Sequence, residues 1–304
     1  MKLVYVGGMG RSGSTLIERL LGELPGVCSV GELVHMWRRS LVDDEACGCG
    51  KAFSDCDFWR SVGLHAYGGW DRRDAADLLA LKGSIDRTRF VPFLLRRNPP
   101  QSLAARAKQY TELYDRLYHA IAHVSGCETV VDASKHASLA ACLRHRYGTN
   151  MLIVHVVRDP RAVAYAWSKR VPRPEATPTS PEQEMARYGP VRAAVQWVSQ
   201  NLVFDALARQ GIPTVRIRYE DFVTDPVSCV RAVAELLGHK GDLPVDRGKV
   251  AHLSPTHAVS GNPMRFRSGD IEIRSDDAWT RELPSRNRAL VSAITFPFRH
   301  RFGY

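Results

Sequence analysis

No apolar run in this 304-residue chain approaches the length of a membrane span. The opening residues also lack the basic segment, long apolar stretch and small-residue cleavage site of a secretory leader, so a cytoplasmic protein is expected. None of the seven cysteines forms a C-x-x-C pair, and a cytosolic chain is not expected to carry a disulfide framework. Three of them crowd into ACGCGKAFSDCDFW as Cys47, Cys49 and Cys56. That spacing favours a packed loop or a local redox bridge over a zinc site, which Cys28 or His35 would have to complete. No internal repeat is present, and the basic residues form no long arm or nucleic-acid motif, only short clusters such as Arg38-Arg39 and Arg96-Arg97. Nucleic acid is therefore not an expected partner.

A further absence is the most informative. The stretch VGGMGRSGSTLIERLL, residues 6–21, has the glycine spacing of a Walker A loop, but Ser14 stands where the phosphate-binding lysine belongs and Arg11 is the one nearby cation. A loop of this kind still cradles an anion through its backbone N–H groups, yet lacks the usual grip on a γ-phosphate. Against these absences stands an excess of basic over acidic residues, 42 against 32, which suits anionic ligands. The 44% hydrophobic content supports one large domain over residues 1–304.

Strand and helix signals alternate along the chain. Leu3–Val6 reads as a strand running into the glycine loop, and Leu16, Ile17, Leu20, Leu21 and Leu24 recur at helical spacing until Pro25-Gly26. A short extended piece spans Val27–Val30, followed by Gly31-Glu32 and a helical stretch through Trp37 to Leu41. Residues 46–100 are the least regular and read as an insertion, or cap, over the active face. Apolar positions from Leu103 to Val124 keep a helical period, with a tyrosine stripe that belongs to the core. ETVVDASKH ends a strand at Asp132, His136–Arg146 is helical, and MLIVHVV reads as a central parallel strand. A helix follows in RDPRAVAYAWSKR, then a Pro/Thr/Ser-rich loop at 172–183, a helix from about Met185 to Gln210, a strand at Pro213–Arg218 and further helices. This order predicts an α/β fold with a doubly wound, mainly parallel sheet flanked by helices.

Three segments carry candidate chemistry. The glycine loop offers Gly10, Arg11, Ser12, Gly13, Ser14 and Thr15 to an anion. Arg158 leaves the carboxyl end of a predicted strand, where open α/β sheets bind their ligands. The loop SGNPMRFRSG, residues 260–269, brings Arg265 and Arg267.

Together these segments resemble the PAPS-dependent sulfotransferases, whose fold is P-loop NTPase-like. The resemblance implies that Arg11-Ser12-Gly13-Ser14-Thr15 holds the 5′-phosphosulfate of PAPS, a donor without a γ-phosphate, and that no metal is required. Arg158-Asp159-Pro160 matches the family's R-[ND]-P element for the 3′-phosphate, but its partner serine falls on Ala166, leaving Ser168, two residues on, as the substitute. RYEDFVTDP at 218–226 is similar to a Y-E-D-[LF] stretch of these enzymes, and Arg267, Gly269 and Trp279 are loosely similar to an R-K-G…W segment.

Transfer of a sulfuryl group needs an in-line hydroxyl, cations on the developing charge and a base. Arg11 suits the leaving side. Glu32 is similar to the glutamate base in the G-E motif of tyrosine-sulfating members, with His35 and His136 as alternatives, and Lys135 is similar to a lysine that supports the transferring group. The expected reaction gives PAP and a sulfate ester of a small-molecule hydroxyl such as a secondary metabolite, glycolipid or lipid alcohol. The aromatics Phe53, Trp59, Tyr67 and Trp70 suit either that acceptor or simple packing. The competing readings are a P-loop kinase of a small metabolite, with Asp132 as a magnesium-binding strand end, and a non-catalytic nucleotide or sulfate sensor.

Overall fold

A computed structural model describes residues 1–70, 75–173 and 183–304. Five strands form one parallel sheet: β1 (Lys2–Gly7), β2 (Val27–Ser29), β3 (Thr129–Lys135), β4 (Met151–Val157) and β5 (Thr214–Arg218), in the order β2-β3-β1-β4-β5. The remaining two, β6 (Val250–Leu253) and β7 (Gly269–Glu272), make a small antiparallel ribbon. The order reverses direction at β1, which puts a topological switch point beside the glycine loop.

β1 shows why the sheet is buried on both faces. Its period-two alternation sends Leu3 and Tyr5 into one core and Val4 and Val6 into another, and all four are fully buried. The first core is filled by the long helix Gln101–Ser125, whose Tyr110, Tyr114 and Tyr118 are fully buried, as the sequence implied. The second is filled by the helix that follows the loop, Ser14–Gly22, through Ile17, Leu20 and Leu21, and by Pro226–Leu236. Each such side chain contributes roughly 1.5–3 kcal/mol on burial.

Most expected elements are present with shifted ends. β3 runs on past Asp132 to Lys135, and the helix expected from Met185 begins at Pro190, whose fixed φ suits the first turn. The stretch 46–100 is more ordered than expected: helices at Asp57–Tyr67, Ala75–Ile85 and Val91–Leu94 occupy it. The first two lie against Gln101–Ser125, and among the described residues no side chain of 46–100 lines the main cavity. Trp59 is fully buried, and Phe53 lies between Trp59 and Trp70 with tilted rings and centroids 5.5 Å from each, while Phe53 and Trp70 also line a second cavity. Most of the loop at 172–183, namely 174–182, lies outside the described residues. Among the described residues no helix is long and apolar enough to cross a membrane.

One buried cation ties the late part of the chain to the early part. Arg19, on the loop helix and almost fully buried, donates to the carbonyls of Ser254 (2.6 Å), Met264 (3.1 Å), Arg265 (3.2 Å) and Arg267 (2.9 Å). Replacing it strands four carbonyls at once. Arg19→Met is predicted to lower stability by about 3–5 kcal/mol, the usual cost of breaking a buried charged network. Urea unfolding of the variant beside the parent checks this, and equal midpoints would show that the carbonyls find other donors.

Candidate active site

The carboxyl ends of four parallel strands converge on a cavity of about 700 Å³. β1 delivers the glycine loop, β2 leads through Val30-Gly31 to Glu32, β3 ends at Lys135, and β4 is followed by Arg158. Gly7 pairs with Lys135 across the β1–β3 ladder, so loop and lysine start side by side.

The loop turns into its helix at Gly13, whose φ of 85° belongs to the left-handed region, and a Cβ there would stand 2.6 Å from the Tyr219 ring. The N–H groups of Gly13, Ser14 and Thr15 meet no acceptor among the described residues, and the Ser12 hydroxyl is buried without a partner. Unpaired donors at a helix start are an anion site in waiting. Arg11 stands at the cavity wall, its guanidinium 5.4 Å from the Trp167 ring and bonded to the Met185 sulfur at 3.2 Å. Burial lowers its pKa and Glu32 pulls it back up, but a guanidinium stays charged throughout.

Across the cavity, Lys135 Nζ forms an ion pair with Glu32 Oε1 and also donates to the Ala133 carbonyl at 3.2 Å. Glu32 Oε2 lies 3.6 Å from His35 Nε2, beyond a normal hydrogen bond. Gly261 makes this approach possible: its φ is 95°, and a Cβ there would fall 2.4 Å from Glu32 Oε1. Arg11 and Lys135 both hold positive φ, 71° and 64°. For side chains other than glycine that conformation costs about 1–3 kcal/mol, which marks the two cations as held in place by their surroundings. His35 and His136 meet edge to face at 5.3 Å. Burial, then the His136 charge and nearby cations, lowers the His35 pKa well below its ordinary value; burial also lowers that of His136. Both rings are neutral near pH 7.

The structure therefore gathers Gly10, Arg11, Gly13, Ser14, Thr15, Glu32, Lys135 and Arg267 around one cavity. Arg158 sits behind the loop, almost buried, over the Tyr219 ring at 4.1 Å; it donates to the Arg11 carbonyl and pairs with Asp276 at 3.2 Å, and its Nε has no partner. Two expected donor ligands are elsewhere. Ser168 ends the helix Pro160–Ser168 and turns its hydroxyl back to the Tyr165 carbonyl at 2.7 Å, because two residues of helix rotate it off the cavity face. Arg265 is buried away from the cavity, donating to Gly261 and Ala46 carbonyls. Asp132, the magnesium ligand of the kinase reading, is fully buried and accepts from Tyr118, the Ser134 amide and the Ser134 hydroxyl, outside the cavity lining.

Sequence reasoning missed Trp167, which donates from Nε1 to the Gly10 carbonyl at 2.9 Å and stacks on Tyr188 at 4.1 Å, and it missed Asp276. Trp167 had a signal, since it lies seven residues after Pro160 and so on the same helix face. The cysteine cluster is also completed differently: His257 joins Cys47, Cys49 and Cys56, in place of Cys28 or His35.

Comparison with known proteins decides the family. The sequence model of the sulfotransferase family matches residues 69–242, more than half of the chain. The chain belongs to the sulfotransferase family. The match begins after the glycine loop and includes β3, β4 and Arg158. Among solved structures, the sulfotransferase domain of the Synechococcus olefin synthase aligns over 97% of this chain and 94% of its own, with 18% identity and a TM-score of 0.51. The sulfotransferase domain from the curacin biosynthetic pathway covers 97% of both chains at 15% identity, TM-score 0.47. A sulfotransferase from Mycobacterium tuberculosis covers 79% of this chain and 68% of its own at 16% identity, TM-score 0.43. No curated protein matches. The fold is that of the sulfotransferases, a parallel α/β sheet of P-loop-like order, and the family assigns sulfuryl transfer as the activity.

A second carboxylate lies just beneath the site. Glu18 is buried on the loop helix, accepts the Gly31 N–H at 3.1 Å, and has its pKa raised to about 7 by burial, against the opposing pull of Lys135 and its hydrogen bonds. A raised carboxyl binds its proton more tightly in the folded state. Its contribution to stability is thus full below about pH 4.5 and is lost as pH rises to about 7, on the order of 3 kcal/mol. Glu18→Gln is predicted to flatten this decline. Urea midpoints at pH 4.5 and 8 for both proteins check it, and parallel declines would refute it.

Proposed function

We propose that this sulfotransferase uses PAPS as donor and a small-molecule hydroxyl as acceptor, producing PAP and a sulfate ester. The observation that carries this reading is the convergence of Arg11, Lys135 and Glu32 on one cavity beside unpaired loop N–H groups. Those N–H groups, with Ser12, Ser14 and Thr15, would hold the 5′-phosphosulfate. Arg158 would take the 3′-phosphate, exchanging its Asp276 partner for the incoming anion. Arg267 closes the open side. Ser168 and Arg265 are given no part in donor binding here, since both lie outside the cavity lining, the Ser168 hydroxyl on the Tyr165 carbonyl and the Arg265 terminal nitrogens on the Gly261 and Ala46 carbonyls.

Glu32 is the base of the proposed step. Oε1 is taken by Lys135, while Oε2 has only His35 Nε2 at 3.6 Å, and the residue lines the cavity. The acceptor oxygen attacks sulfur, its proton passes to Glu32, and the bond from sulfur to the bridging oxygen breaks with its electron pair leaving on the phosphate. Arg11 supports the charge on that leaving oxygen. As Glu32 gains its proton, Lys135 loses its counter-ion and turns its charge to the sulfonate, so the cation is strongest where the transition state needs it. The acceptor fits a secondary metabolite, glycolipid or lipid alcohol, with Trp167 and Tyr188 supplying its apolar wall.

Calorimetric titration with PAP, ADP, ATP and AMP, each with and without magnesium, tests the donor. Magnesium-independent preference for PAP is expected, and preference for ATP with magnesium would overturn the reading. Arg158→Ala is predicted to weaken PAP about 10–100-fold, as expected for lost charged hydrogen bonds. Glu32→Gln should keep PAP binding within about twofold while lowering single-turnover sulfation by about 10²–10⁴-fold. Full sulfation by a folded Glu32→Gln protein would remove Glu32 as base, and PAP binding with no transfer to any hydroxyl would favour a sensor.

A further inference from the structure

Away from the cavity, four side chains converge that the transfer reaction does not use. Cys47 and Cys49 come from one tight turn, closed by Cys47 N–H to the Lys51 carbonyl at 2.9 Å and Gly50 N–H to the Cys47 carbonyl at 2.8 Å. Cys56 precedes the helix Asp57–Tyr67, and His257 arrives from 201 residues later, in the segment after β6. Their ligand atoms all lie within 4.8 Å of one another. Sγ of Cys56 is 3.7 Å from Sγ of Cys47 and 3.8 Å from Sγ of Cys49, while His257 Nδ1 is 3.3 Å from Cys56 Sγ and 3.7 Å from Cys47 Sγ.

These distances have a ready interpretation. Four ligands arranged tetrahedrally at zinc–sulfur and zinc–nitrogen lengths of about 2.3 and 2.05 Å stand about 3.8 Å apart for sulfur pairs and about 3.6 Å for sulfur–nitrogen pairs. A disulfide would use two thiols at about 2.05 Å and give the third thiol and the imidazole nothing to do. The surroundings also hold the set in place. The His257 ring stacks flat on Phe58, 4.6 Å away and 6° from parallel, and its carbonyl accepts from Trp59 Nε1 at 2.8 Å. Backbone N–H groups of Cys49 and Trp59 point at the sulfurs of Cys47 and Cys56, the usual support for thiolate ligands.

We propose that Cys47, Cys49, Cys56 and His257 bind one structural zinc ion. Three sulfurs and one imidazole nitrogen suit zinc in preference to the oxygen-seeking cations. Four protein ligands close the coordination sphere, so the ion has no open position for substrate and acts as a clamp. What it clamps is the site's rear wall. The residues next to the ligands are joined by Gly48 N–H to the Ala258 carbonyl at 2.8 Å, and the following residue, Val259, accepts from Glu32 N–H at 2.8 Å. Gly261, two residues further on, is the one pressed against Glu32.

The test uses the full chain purified under reducing conditions without added chelator. Elemental analysis is expected to find about one zinc per chain, and cobalt exchange to give the intense visible bands and sulfur charge transfer of a tetrahedral thiolate site. Cys56→Ser should reduce the zinc content below about 0.2 per chain, whereas Cys142→Ser, a buried cysteine elsewhere, should leave it near one. If Cys56→Ser does not fold, the cobalt spectrum of the parent protein and the zinc stoichiometry decide alone. Metal-free protein that gives no tetrahedral cobalt spectrum overturns the proposal, as does a Cys49–Cys56 disulfide in unreduced protein free of zinc.

Discussion

A chain segment that crosses the carboxyl edge of a parallel sheet has carbonyls with no strand to bond to, and buried carbonyls must find donors. Residues 254–267 are such a segment, and Arg19 supplies four of the donations they need. An arginine suits this place because its guanidinium fans several donors from one plane and keeps its charge when buried. The loop helix that presents N–H groups to the cavity thus also anchors the segment closing the opposite wall. Glycine loop and rear wall are thus joined through one side chain.

That rigidity gives the Glu32–Lys135 pair its setting. Glu32 is held from the backbone by Val259 and approached by Gly261, and Lys135 is held by β3 in a conformation it would not adopt alone. An ion pair at a cavity wall is worth little as a stabiliser once desolvation is counted. Its value lies in placement: one carboxylate oxygen is occupied by Lys135 and the other lies 3.6 Å from His35, with a compensating cation already in contact.

Much of this was legible in the sequence because it depends on local pattern. The glycine loop, Arg158 after an apolar strand and Glu32 after Gly31 each sit at a strand's carboxyl end, and strand ends are marked by the switch from β-branched runs to small or polar residues. Alternation of helices and strands implied a doubly wound parallel sheet, but the order β2-β3-β1-β4-β5, and so the neighbourhood of Gly7 and Lys135, came from the structure. What local pattern could not carry was long-range pairing. His257 completes the cysteine set from 201 residues beyond Cys56, and Asp276 reaches Arg158 across 118 positions. Arg265 lies outside the cavity lining for the converse reason. An arginine in a glycine-bearing loop looks like an anion ligand until its guanidinium is found bonded to carbonyls. Ser168 turns its hydroxyl to the Tyr165 carbonyl, since a two-residue shift along a helix changes face.

The same network indicates where the site can open. The late segment is fixed near Ser254 and Met264 by Arg19 and near Ala258 by Gly48, so its middle, Ser260 to Asn262, has little freedom to withdraw from Glu32. Asp276 is different: its side chain is 42% exposed and its ion pair with Arg158 is the sort that an incoming polyanion replaces without leaving a buried charge unpaired. Charge exchange at Arg158 costs less than breaking the Arg19 hub or separating Lys135 from Glu32. An anion reaching Arg158 from the Asp276 side would therefore replace a half-exposed carboxylate and leave the Arg19 hub and the Glu32–Lys135 pair intact.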